Sequence, residues 1–123
     1  MPPTPPQEVE VAVVPWLARV RHDLVKRLVW PARDRRDAGG APAPGELVPC
    51  LIDDEGRPTT AAALWSHLAD EAPAGLDLGP FAAALAAATA AAAAGEIDGV
   101  LALEAAFDDL AARAQRLARS LNP

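Results

Sequence analysis

The chain has 123 residues, of which 51% are hydrophobic, and this length and composition indicate one globular domain rather than a disordered chain. The single cysteine excludes an internal disulfide, and the sequence contains no C-x-x-C pair, no H-x-x-x-H pair and no glycine-rich phosphate loop. We therefore expect no catalytic, cofactor-binding or metal-binding residues, and we favour a protein that is not an enzyme. Without a signal-peptide pattern or an apolar run that could span a bilayer, we expect a cytoplasmic protein.

The N-terminal region begins with proline-rich residues 1–7. Proline favours an extended conformation, so we expect a disordered tail there and a single helical domain over residues 8–123. The stretch from Glu8 to Val14 at first alternates acidic residues with valine, which is typical of a half-buried strand. A first helical turn is the alternative.

A helix is predicted from Pro15 onwards, because proline suits the first position of a helix. At 100° per residue its apolar side chains form one broad arc. These residues are Trp16, Leu17, Val20, Leu24, Val25, Leu28 and Val29. Pro31 should kink or restart the helix, and Gly39-Gly40 should end it. Residues 39–46 have the composition of an internal linker.

The charges are distributed unevenly along the chain, whose formal net charge is −6. Residues 16–37 hold seven basic and three acidic side chains, a net +4, whereas residues 46–110 hold twelve acidic side chains and one basic, a net −11. Either the basic helix lies beside the acidic part of its own fold, or it faces an acidic partner or a phosphate backbone. The candidate basic surface consists of Arg19, Lys26, Arg27, Arg33, Arg35 and Arg36.

Residues 47–52 are mostly apolar and predict a short buried extended segment, which Pro49 confines to a sheet edge. This segment and residues 8–14 could form a two-stranded edge. Residues 53–58 have the composition of a turn. Thr59 or Thr60 is a suitable N-cap for a helix from about Ala61 to Glu71.

Cys50 lies among apolar neighbours, so we expect a buried and unreactive thiol. A constellation of Cys50, His67 and either Asp53 or Asp54 is the alternative, and it would make the protein a small enzyme or ligand-binding protein. Asp53, Asp54 and Glu55 lack the alternating pattern of a calcium loop, and we expect an acidic turn in solvent.

The C-terminal half predicts two antiparallel helices. An alanine-rich helix begins near Pro80 and ends at Gly95, and the last helix runs from about Asp98 to Leu121. Apolar residues on the last helix are spaced alternately by three and four positions, which is the a/d pattern of a coiled coil. They are Val100, Leu103, Phe107, Leu110, Ala114, Leu117 and Leu121. This seam packs either on the same chain or on another chain.

The sequence therefore predicts a mainly α-helical fold: a small four-helix domain with a C-terminal αα-hairpin and a possible short two-stranded edge. We expect a non-enzymatic helical adaptor, assembly factor or small accessory subunit that acts by protein–protein contact. A protein partner or self-association would involve the C-terminal helix through Leu103, Phe107, Leu110, Leu117 and Leu121. The alternative is a nucleic-acid-associated regulatory protein that uses the basic helix 16–37, although a pI of about 4.7 argues against nucleic acid. A membrane partner is not expected.

Overall fold

The computed structural model describes the backbone of residues 6–120 and the side chains of residues 13–120. Residues 1–5 of the predicted tail and Leu121 of the predicted seam lie outside this range. In the described part the chain forms four helical runs and one two-stranded antiparallel sheet. The predicted fold class, a small and mainly α-helical domain, is confirmed.

One long helical run occupies the N-terminal third of the chain. It is α-helical over Pro6–Val20 (α1), π-helical over Arg21–Val25 and α-helical again over Lys26–Ala38 (α2). The strand predicted for residues 8–14 is therefore wrong, and the helix begins at Pro6 rather than at Pro15. A proline inside a helix removes one backbone hydrogen bond. Val13 and Trp16 are nevertheless both buried in the core, so packing on either side of Pro15 stabilises the continuous helix.

The predicted apolar arc of this helix is confirmed, since all seven of its residues are buried. The π-helical turn at Arg21–Val25 contributes to this. At 100° per residue Val29 lies at the edge of the predicted arc, and a turn with more residues brings it nearer to the centre of the buried face. The helix also continues through Pro31, which neither ends nor restarts it, and stops at Ala38 before Gly39.

A short β-hairpin follows the long helix. Strand β1, Leu51–Ile52, pairs antiparallel with β2, Pro58–Thr59, so the partner of the edge strand is not the N-terminal segment as predicted. The turn between the strands is held by the Asp53 carboxylate, which accepts hydrogen bonds from the backbone N–H groups of Glu55 and Arg57 at 2.9 Å each. An acidic turn was predicted here. The strand that pairs with β1 is the segment directly after this turn.

The second helical run, α3, spans Ala61–Asp70. The predicted N-cap is Thr60, whose hydroxyl accepts a hydrogen bond from the Ala63 N–H at 3.1 Å. At the other end of α3, the indole N–H of Trp16 donates to the Leu68 carbonyl at 2.8 Å. The same carbonyl also accepts the backbone N–H of Glu71 at 3.1 Å, so the indole bond is its second hydrogen bond. The indole bond joins α3 to the long helix.

The C-terminal helices form the predicted αα-hairpin. Helix α4 spans Gly79–Ala94 and α5 spans Ile97–Ser120. Gly95 ends α4 in the left-handed conformation, with φ of 75°, and a Cβ at this position would lie 3.1 Å from the carbonyl oxygens of Pro42 and Ala43. Gly99 permits an even closer approach, since a Cβ there would lie only 2.6 Å from the Cβ of Ala91.

Helix α5 packs on α4 and on both halves of the long helix. Its buried residues are Val100, Leu103, Phe107, Leu110, Ala114 and Ala118. The buried stripe thus passes from Ala114 to Ala118 rather than to Leu117, which is only half-buried. This spacing follows the 3.6-residue period of a straight helix instead of the 3.5-residue period of a coiled coil.

Within residues 6–120, no helix combines the length and apolar character that a bilayer-crossing segment needs.

Candidate interaction surface

Most bases of the long helix are paired with carboxylates. Arg19 forms an ion pair with Glu71 after α3, Arg33 with Glu104 on α5, and Arg35 with Glu46 at 3.6 Å. Arg36 contacts its neighbour Asp37 at 3.7 Å. The first three pairs join the basic helix to the acidic part of the same fold, which was the first of the two interpretations of its charge.

The remaining bases of the long helix are Arg21, Lys26 and Arg27. All three side chains are exposed, and no carboxylate among residues 13–120 lies within ion-pair distance of them. Of the predicted basic surface, only Lys26 and Arg27 are therefore available to a ligand without breaking an intramolecular pair. The unpaired bases of the long helix therefore lie in its middle.

Three seam residues of α5 are buried within the chain, whereas a residue that contacts another chain must reach the surface. Leu103, Phe107 and Leu110 are buried in the chain's own core, at 1%, 9% and 2% exposure. Leu117 is half-buried and lies close to Gly75. A Cβ added at Gly75 would be 3.7 Å from the Cδ1 atom of Leu117. Leu103, Phe107 and Leu110 thus contribute to the core of the chain, and Leu121 lies outside the described residues.

Cys50 and His67 are not brought together. Cys50 is exposed and lines a groove beside Trp30, so the expectation of a buried thiol is wrong. Side chains alternate along an extended strand, and Leu51 points inwards while its neighbours Cys50 and Ile52 point outwards. His67 lines a separate cleft with the acidic turn, and its Nε2 lies 3.6 Å from Glu71.

The cleft around His67 has a volume of about 320 Å³ and is also lined by Asp53, Asp54 and Glu55. Asp53 uses its carboxylate to hold the backbone of its own turn. Among residues 13–120 no group of three or more acidic, histidine or cysteine side chains is arranged so that it could hold a metal ion.

The most exposed large apolar side chain of the described residues is Trp30, at 68%. It lies on α2, one helical turn after Lys26 and Arg27, and therefore on the same helix surface. Across from it lie Pro49 and Cys50 of the segment before β1, and together these residues and Pro31 line a shallow groove of about 420 Å³. We call this set, Lys26, Arg27, Trp30, Pro31, Pro49 and Cys50, the Trp30 face.

A second groove adjoins the Trp30 face and shares Pro49 with it. Its volume is about 220 Å³, and we call it the apolar groove. The residues that line it are Leu28, Val48, Pro49, Leu51, Thr59, Thr60, Ala61, Thr89, Ala92 and Ala93. Val48 is a further exposed apolar side chain here, at 53%. Aliphatic side chains and threonine methyl groups dominate this groove, and no charged residue lines it.

The sequence-based predictions did not include the Trp30 face. Trp16, the other tryptophan of the long helix, was predicted to lie in the apolar arc; it is 4% exposed and belongs to the core. A signal was available in the sequence, because Trp30 falls outside the apolar arc of its helix while Val29 falls within it. The proximity of Pro49 and Cys50 could not be predicted, since it depends on how the segment before β1 returns along α2.

Comparison of the chain with protein-family models, with curated proteins and with solved structures finds no match.

Proposed function

We propose that this protein is a non-enzymatic helical adaptor or accessory subunit that contacts another protein through the Trp30 face. The observation that supports the proposal is the 68% exposure of Trp30 beside a second exposed apolar residue, Val48. Tryptophan is the residue most enriched among those that dominate protein–protein binding energies. Trp30 is also not part of the buried core of its own chain.

The surface has the general composition of a protein contact site. Apolar side chains of Trp30, Pro49 and Val48 lie at its centre, and charged side chains of Lys26 and Arg27 lie at one rim. Interfaces commonly combine an apolar centre with a polar rim in this way. In this proposal the protein contact therefore moves from the seam of α5 to the exposed surface of α2 around Trp30.

The competing function, contact with nucleic acid through the basic helix, is supported less well. Arg19, Arg33 and Arg35 are paired with carboxylates of the same chain. Binding a phosphate backbone depends on bases that can replace counterions. Only three bases of the helix are free of such pairs within the described side chains, on a chain with a net charge of −6.

The test is affinity capture from the native host with the full chain as bait, followed by reconstitution with the purified partner. We expect the double variant Trp30→Ser/Val48→Ser to lose the partner while retaining helix content by circular dichroism. The matched control is Val14→Ser/Ile52→Ser, which removes two other exposed apolar side chains, at 61% and 46%. Reconstituted binding that is unchanged in Trp30→Ser/Val48→Ser would contradict the proposal.

A further inference from the structure

We propose that the Trp30 face binds an acidic peptide segment of a partner protein, and that an aliphatic or aromatic side chain of this segment enters the apolar groove. This inference rests on the proposed function, because it assumes a protein contact at the Trp30 face. It adds the chemistry of the partner and the orientation in which the partner lies.

The charge of the surface selects an acidic segment. Lys26 and Arg27 line the Trp30 face, and Arg21 lies about one turn before them. None of the three forms an ion pair with a carboxylate among residues 13–120, and the nearest acids of α5 are Glu104, paired with Arg33, and Asp108, which line a neighbouring cleft with Arg21 and Lys26. The chain as a whole carries a net charge of −6. Among the described side chains, Arg116 and Arg119 on α5 are also exposed and without an ion pair. Only the bases of the long helix lie beside an exposed tryptophan and an apolar groove, so charge and apolar contact together favour association of an acidic segment there.

The acids around Trp30 determine the direction of the bound segment. Beyond Trp30, away from Lys26, a small cleft is lined by Asp34 and Asp37 together with Arg33. Arg33 is already paired with Glu104, and Asp37 is paired with Arg36, so the Asp34 carboxylate is the unpaired charge that lines this cleft. The acidic residues of the bound segment consequently lie over Lys26 and Arg27 and do not extend past Trp30 towards Asp34.

The apolar groove supplies the anchor site. It begins at Pro49, where the Trp30 face ends, and its walls are formed by Leu28, Leu51 and Ala92 with Val48 at the mouth. A groove of about 220 Å³ is large enough for one bulky side chain and too small for a folded element. An extended acidic segment with one apolar anchor matches both the charge and the shape of the surface.

The first experiment measures the protection of Trp30 from acrylamide, a neutral quencher. Trp16 and Trp65 are buried, at 4% and 9% exposure, so Trp30 accounts for most of the quenchable fluorescence. The probe is a short synthetic peptide of aspartate and glutamate residues with a single phenylalanine. The control peptide replaces the acids with asparagine and glutamine. We expect the acidic peptide to protect Trp30, and the control peptide to bind at least about tenfold more weakly, which corresponds to about 1.4 kcal/mol.

Variants of the full chain separate the two parts of the site. Lys26→Glu/Arg27→Glu should weaken binding of the acidic peptide at least about tenfold, whereas Arg116→Glu/Arg119→Glu, an equal change of charge at exposed positions of α5, should change it less than about twofold. Ala93→Phe should fill the apolar groove and weaken binding, whereas Ala90→Phe, at an exposed position of α4 outside the groove, should not. Binding should also weaken as salt is raised, because exposed charge pairs are screened.

Equal affinity for the acidic and neutral peptides, or equal losses in Lys26→Glu/Arg27→Glu and its control, would overturn the inference. So would the absence of any protection by the acidic peptide, or protection of Trp30 by phosphatidylserine vesicles or duplex DNA in its place. The inference can fail while the proposed function stands: the native partner would then bind in a manner that requires Trp30 and Val48 but is indifferent to salt and to the charge reversal at Lys26 and Arg27.

Discussion

At the scale of single residues, Gly99 sets how closely α4 and α5 approach. A Cβ at position 99 would lie 2.6 Å from the Cβ of Ala91, a rigid atom that cannot rotate away. Gly99→Ala should therefore destabilise the fold by roughly 1–3 kcal/mol, the usual cost of overpacking. Alanine is favoured over glycine in a helix by about 1 kcal/mol, and we expect the cost of the clash to exceed this gain. Urea unfolding followed by circular dichroism measures the difference.

The matched control moves the methyl group from one helix to the other. In Ala91→Gly/Gly99→Ala the clash is absent and the helix propensities of the two helices nearly cancel. We expect this double variant to recover most of the stability of the parent. A Gly99→Ala variant that is as stable as the parent would show that the helices are not held at this distance.

Cys50 is a second residue whose behaviour follows from its exposure. We expect it to react fully with a thiol reagent in the folded protein, without prior unfolding. Because its side chain lies in solvent, Cys50→Ser should change the free energy of unfolding by no more than about 0.5 kcal/mol. Leu51→Ser, at the buried neighbouring position, is the contrast and should cost much more. A thiol that reacts only at the urea concentration of unfolding would contradict the exposed position.

At the scale of secondary-structure elements, the buried stripe of α5 gives the clearest quantitative expectation. Leu110 is 2% exposed, and Leu110→Ala should destabilise the fold by roughly 2–5 kcal/mol. Leu117→Ala is the control, because Leu117 lies in the same sequence pattern but is only half-buried, and it should cost clearly less. Chemical denaturation measures the loss of unfolding free energy in both variants. Equal losses would indicate that Leu117 is as well packed as Leu110, as the strict heptad pattern predicts and the structure does not.

The elements that the sequence predicted well are those whose local signals agree with their packing. The arc from Trp16 to Val29, the Thr60 cap and the Gly95 ending each combine a periodic pattern or a preferred residue type with the observed role. The start of the first helix was missed because Pro15 normally marks a first turn. Burial of Val13 outweighs that local preference, and only the tertiary structure reveals it.

At the scale of the whole molecule, the charges of the chain are largely arranged to satisfy one another. Since Arg19, Arg33 and Arg35 pair with carboxylates of the same chain, we expect duplex DNA to bind no more tightly than the roughly 1–100 μM of nonspecific binding at ~150 mM salt. Fluorescence anisotropy of a labelled duplex measures this. Submicromolar binding that is lost in Arg33→Ala/Arg35→Ala/Arg36→Ala would restore the nucleic-acid hypothesis.

The candidate surface could be predicted only in part from the sequence. The unevenness of charge is visible in residues 16–37, and it indicated that some bases would meet acids of the same fold. Which bases remain unpaired depends on the placement of Glu46, Glu71 and Glu104, which lie far along the chain. The Trp30 face likewise joins α2 to a segment that follows a loop, and no local pattern reports such a contact.

The alanine-rich helix α4 has a consequence for the substitutions that this chain can accept. Its composition looks uniform, yet only Ala88, Ala91 and Ala92 of its alanines are buried. At these three positions a larger side chain would force neighbouring helices apart, so the small residue is required by the fold. Most other alanines of the run face solvent, where many residue types serve equally well. A saturation library over residues 82–94 should therefore separate into a few invariant positions and many free ones, and the apparent monotony of the run would disappear.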